Sequence, residues 1–160
     1  MDHLWTPWRM EYIQAAASED EPEGCIFCRI QGGFESERVL ARSELAFVVL
    51  NKFPYNPGHM LVVPARHVGD LEALSEEENT ELQALLQRSV RALREESEPQ
   101  GFNIGMNLGH SGGAGIPDHL HWHVVPRWSG DTNFMTVVST ARVLPELLAD
   151  THRRLAPRFG

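Results

Sequence analysis

The sequence predicts an α+β domain: an antiparallel sheet of about five strands, one long helix and a helix near the end of the chain. Three observations predict it. Short apolar stretches follow one another across tight turns, as in "ERVLAR" (37–42) and "LAFVVLN" (45–51) around Ser43–Glu44. One amphipathic stretch long enough for a helix interrupts them. Beyond it, "GFNIGMNL" (101–108) and "HLHWHVV" (119–125) alternate at the two-residue period of a strand with one buried face.

In order along the chain, residues 1–24 read as an arm, "MDHLWTPWRMEYIQAA", with a short helix after Pro7, followed by the acidic loop "ASEDEPEG". The two strands at 37–51 come next. "KFPYNPG" (52–58) is a proline-rich loop, and "HMLVVP" (59–64) reads as a buried strand. Ser75 and Glu78 have the spacing of a capping box, so the long helix starts there. Leu82, Leu85, Leu86, Val90 and Leu93 form its apolar face, and Pro99 stops it. "GHSGGAG" (109–115) is a glycine-rich loop between two strands. Residues 128–160 read as an extension packed on the same domain, with an amphipathic helix within 142–156.

Composition narrows the function. The 160 residues suffice for one domain with a substantial core. Asp and Glu outnumber Lys and Arg by 22 to 14, a net charge of −8, which argues against a general nucleic-acid binder. A small basic pocket for one nucleotide stays open. No apolar run approaches a membrane span, and no signal-peptide pattern opens the chain, so a cytoplasmic protein is expected. Cys25 and Cys28 are the only cysteines; in a reducing compartment they suggest a metal site or redox pair rather than a structural disulfide.

The chemistry concentrates in "DHLHWHVVPR" (118–127), where His119, His121 and His123 occupy alternate positions. Leu120, Trp122 and Val124 then enter the core, and the histidines face away from it. Imidazole attacks phosphorus as a nucleophile and splits one hard displacement into two easier ones. A neighbouring imidazole orients phosphate or protonates the leaving group. Glycine-loop N–H groups cradle phosphate oxygens. These are parts for nucleotidyl transfer; alternate histidines equally suit a metal-binding strand. For "CIFC" (25–28) the residues leave open a redox pair, half a zinc site or two small buried hydrophobes.

"HLHWHVV" resembles the His-φ-His-φ-His-φ-φ signature of the histidine triad (HIT) family, φ being apolar. "LAFVVLNKFPYNPGHMLVVPARHV" (45–68) is similar to that family's strand–loop–strand with Pro-Gly-His and Val-Pro, and the likeness extends over residues 25–127, the expected catalytic core. The flanks "LWTPWRMEYI" (4–13) and "PRWSGDTNF" (126–134) resemble a bacterial subgroup that includes diadenosine tetraphosphate phosphorylases.

The resemblance implies a HIT-like fold, a homodimer and a nucleotide substrate passing through an adenylyl-histidine. His121 matches the nucleophile and His123 the histidine that contacts phosphate and leaving group. Asn107 matches the asparagine at the α-phosphate, and Asn51 falls at the ribose hydroxyls. Ile26, Phe27 and Ile30 sit where apolar residues sandwich the base, with core packing an equally good account. Gly115 stands where many members carry glutamine, so that role passes to backbone N–H groups around Gly113 and Gly115, or to His110 and Ser111. The resemblance also implies a structural zinc on Cys25, Cys28, His67 and His119, and for His59 a structural role. Space at Gly115, with Ser111 and with Arg9 or Arg127 nearby, favours inorganic phosphate as acceptor, giving ADP and ATP. Hydrolysis of dinucleoside polyphosphates or nucleoside phosphoramidates is the alternative within enzymes, and a noncatalytic nucleotide- or protein-binding module the alternative outside them.

Overall fold

The computed structural model describes residues 24–131 and 146–160. The predicted N-terminal arm with Arg9, and residues 132–145 with the first part of the predicted final helix, lie outside them.

Among the described residues, five strands form one sheet: β1 (Val39–Arg42), β2 (Ala46–Leu50), β3 (Met60–Pro64), β4 (Gly101–Gly105) and β5 (Trp122–Arg127). Their order is β1-β2-β3-β5-β4 and every pair is antiparallel. All residues of β2 and β3 are buried, which is why these strands read as unbroken apolar runs rather than alternating ones. Both faces of the sheet are covered. Helix α2 (Glu76–Ser97) lays Leu82, Leu85, Leu86 and Leu93 on one face, against Val48, Leu50, Met60, Val62 and Val124. Helix α1 (Ile26–Gln31) lays Phe27 and Ile30 on the other, against Phe47, Val49, Leu61 and Val63. Helix α3 (Leu148–Leu155) and the turn of 3₁₀ helix after it add Leu155 and Phe159 to the first cluster.

Local chemistry sets the helix ends. Ser75 Oγ accepts from Glu78 N–H at 3.2 Å, and the Glu78 carboxylate accepts from Ser75 N–H at 2.9 Å, so the capping box closes as its spacing predicts. At the other end Glu98 takes the left-handed conformation, φ 45°, just before Pro99. Gly58, in the β2–β3 loop, has φ +83°, and a Cβ there would lie 2.8 Å from Leu93 Cδ2; only glycine lets this loop close onto α2.

Two expectations need correction. The strand read at 101–108 ends at Gly105, and Ile104 and Leu108 are about half exposed instead of buried. The reason is that, among the described residues, β4 is the edge of the sheet and pairs only with β5. The strand read at 119–125 begins at Trp122. Before it, Leu120 N–H donates to Val68 O at 2.8 Å, so His119 and His121 lie beside the chain that follows β3 rather than in the ladder.

Candidate active site and metal cluster

Trp122 and Val124 pack toward α2, and the three histidines point to the opposite face, as alternation predicts. That face is closed over by α1. His119 is fully buried and His121 nearly so. The Phe27 ring meets the His119 ring edge-on at 5.3 Å and the His121 ring at 5.0 Å between centroids.

The first histidine belongs to a cluster with the cysteines. His119 Nδ1 is 3.2 Å from Cys25 Sγ and 3.7 Å from Cys28 Sγ, and Cys28 Sγ is 3.4 Å from His67 Nδ1. The four ligand atoms lie within 4.8 Å of one another. Ligand atoms around a tetrahedral zinc stand about 3.3 to 3.8 Å apart, so the donor set and its spacing fit that ion. Orientation agrees: His119 Nε2–H donates to Pro64 O at 2.9 Å, which leaves Nδ1 aprotic toward the thiols. Burial pulls the His119 pKa down, keeping the ring in the neutral form a ligand needs. The elements explain the assembly: Cys25 caps α1, Cys28 sits one turn along it, and His67 follows β3.

His121 Nδ1–H donates to His119 O at 2.9 Å. In a neutral imidazole the proton on Nδ1 leaves the lone pair on Nε2. Burial lowers the His121 pKa and so favours that neutral form. His123 stands next to it, ring centroids 5.1 Å apart.

A second chain of bonds orients His123, and here sequence reading missed a residue of consequence. His59 Nδ1 accepts the Tyr55 N–H at 3.1 Å and faces Asn51 Nδ2 at 3.3 Å. Its proton is therefore on Nε2, which donates to His123 Nδ1 at 2.9 Å. That in turn places the His123 proton on Nε2. Tyr55 stacks over His59, rings 4.9 Å apart. "Pro-Gly-His" (57–59) was the available signal, read as structural because strand periodicity carries no information about an imidazole 64 positions away.

The other predicted residues divide. Asn51 joins the histidine network, its Oδ1 accepting Phe53 N–H at 3.1 Å. The pairing Gly105–His123 brings the end of β4, with Asn107 two residues on, to the histidine strand. Asn107 Nδ2 donates to Gly113 O at 3.3 Å and so braces the glycine loop. The loop curls tightly, Gly113 N–H to His110 O at 2.9 Å and Ala114 N–H to Gly109 O at 3.2 Å. His110, Ser111 and Gly115 are exposed on it. Phe27 and Ile30 are 3% and 1% exposed, held between α1 and the sheet. Half-buried Ile26 is the member of that trio with accessible surface. Arg127 is not a spare cation either, being bound to Asp131 and Asn103.

Comparison with known proteins agrees with this geometry. The family model for the HIT domain matches residues 34–130. The chain belongs to the HIT family. One relative, the AP-4-A phosphorylase of Mycobacterium tuberculosis, is 46% identical over 166 aligned positions, covering 100% of this chain and 85% of the relative. The adenosine 5'-monophosphoramidase hnt1 of Schizosaccharomyces pombe is 30% identical over 103 positions, 64% of this chain and 74% of its own. Among solved HIT structures, a zinc-bound histidine triad family protein from Mycobacterium smegmatis superposes with a TM-score of 0.70 at 29% identity, covering 85% of this chain and 93% of that one. The five-stranded antiparallel sheet with its helices is the HIT fold.

Proposed function

We propose that this HIT protein is a nucleotidyl transferase that cleaves diadenosine tetraphosphate by phosphorolysis, giving ADP and ATP. The observation that carries the reading is the His121 Nδ1–H bond to His119 O at 2.9 Å, which aims an aprotic Nε2 away from the backbone as a nucleophile for phosphorus. His121 Nε2 forms a bond to the α-phosphorus and the bond to the leaving oxygen breaks, ATP departing as a phosphate oxyanion to which His123 Nε2–H donates a hydrogen bond. Phosphate then attacks the adenylyl-histidine, and the P–N bond breaks to release ADP. The full-length similarity to a phosphorylase supports phosphate as acceptor. Asn51 serves the ribose, and Asn107 with the backbone around Ser111, Gly113 and Gly115 serves the phosphates.

Cys25, Cys28, His67 and His119 hold zinc in this reading. A four-ligand ion has no open position and supplies no chemistry beyond cross-linking α1 to the segment that carries His121. Residues 25–127 form the catalytic unit and 128–160 its extension, in the cytoplasm. The outer edge of β4, with Ile104 and Leu108 exposed, supports pairing of two copies into a homodimer.

Product analysis tests the reaction. Diadenosine tetraphosphate with oxygen-labelled inorganic phosphate is expected to yield ADP carrying the label, together with ATP. Exclusive formation of AMP and ATP at millimolar phosphate assigns the protein to the hydrolases and overturns the acceptor.

A further inference from the structure

The segment "PRWSGD" (126–131) has no task in the proposed reaction, yet a continuous path of hydrogen bonds leads from it to the histidines. Arg127 lies fork-on against Asp131, Nε to Oδ2 at 2.6 Å and Nη2 to Oδ1 at 2.9 Å. This pairing holds the Asp131 carboxyl well below the usual carboxylate range, so it is an acceptor only. Its Oδ2 takes a bond from Asn56 Nδ2 at 2.8 Å, and the same amide donates to Pro126 O at 2.9 Å. Both partners are acceptors, so the amide has one orientation. Asn56 is 4% exposed, whereas its loop neighbours Lys52, Phe53 and Tyr55 are exposed. Its carbonyl accepts His59 N–H at 3.0 Å, and His59 Nε2 donates to His123 Nδ1.

We propose that Asp131, held by Arg127 and acting through Asn56, is a positioning residue that sets the His59–His123 pair so that the His123 proton reaches the leaving oxygen. The proposal rests on the reading of His121 as nucleophile and His123 as donor to the leaving oxygen. The loop of residues 51–59 reaches the buried end of β5 through the Asn56 amide, and Gly58 packs separately on Leu93. Without Asp131 the amide keeps one of its two acceptors. The carbonyl that registers His59 then shifts with the loop. A small displacement suffices, because the Nε2–H acts only within hydrogen-bond contact of the leaving atom.

The test compares two AMP esters. A 4-nitrophenyl ester departs as a stable phenolate that gains little from a donor, while a phenyl ester departs as a more basic one that depends on it. Asp131→Ala and Asn56→Ala are expected to lower kcat/KM for the phenyl ester at least about tenfold more than for the nitrophenyl ester, the range typical of lost outer-shell support. Asp131→Asn, which keeps an acceptor oxygen for Asn56, is expected to recover part of that ratio. Arg154→Gln breaks an ion pair with Glu146 that is not among the bonds of this path, and is expected to lower stability without moving the ratio. Equal losses on both esters, no loss, or the same ratio change in Arg154→Gln overturns the proposal. Failure of the parent reading looks different: the unaltered protein with the nitrophenyl ester would then form no adenylyl-His121 detectable by mass spectrometry.

Discussion

His59 donates to His123, Nε2 to Nδ1 at 2.9 Å, and the direction of that bond is set by the Tyr55 N–H on the opposite nitrogen of His59. A main-chain donor thus dictates which nitrogen of His123 carries its proton. His59→Ala is expected to reduce kcat about ten- to a hundredfold with little change in KM, since the group lost acts on proton delivery rather than nucleotide contact. Steady-state kinetics checks this; a pure KM effect contradicts it.

Removal of the nucleophile is more severe. His121→Ala is expected to lose at least about a hundredfold in turnover while still binding nucleotide, because the covalent route is closed. Calorimetric titration with a nonhydrolysable dinucleotide alongside activity separates the two effects. Activity near that of the unaltered protein would sink the mechanism.

Purified protein is expected to hold about one zinc per chain, and Cys28→Ser to lower metal content and melting temperature together, since ligand binding and folding are coupled. Cys28 bridges the set, lying close to both His67 and His119. Metal-free protein of unchanged stability would leave "CIFC" as a structural pair or a redox motif.

Acid stability follows from Glu78. Two bonds from Arg66, at 2.9 and 2.8 Å, and one from Ser75 N–H hold its carboxyl down at about 2. The folded value is below the unfolded one of about 4.3. Its contribution is therefore present above the unfolded value and fades as pH falls from about 5 toward 2. Denaturant melts across that range are expected to show the fall in the unaltered protein and a flatter profile in Glu78→Gln. Identical slopes in the two proteins would refute the assignment.

Much of this molecule was legible along the chain because its signals are local. The capping box of Ser75 and Glu78 spans one helical turn, and the apolar runs of β2 and β3 announce strands buried on both faces. The spacing of His119, His121 and His123 puts their rings on one side of an extended chain. Four metal ligands were named through family resemblance, and the fold brings them together although Cys25 and His119 are 94 positions apart.

What tertiary structure alone decided depends on partners distant in sequence. The helix that carries "CIFC" settles on the histidine face, so Phe27 and Ile30 go to the core and His121 is buried and neutral. Strand order leaves β4 at an edge, and periodicity cannot say whether an alternating strand has one neighbour or two. Arg127, a free cation on paper, is claimed by Asp131. The proton positions on His59, His121 and His123 follow from which carbonyl or N–H each nitrogen meets. An imidazole has two tautomers of similar energy, and a single bond from a distant backbone group selects one.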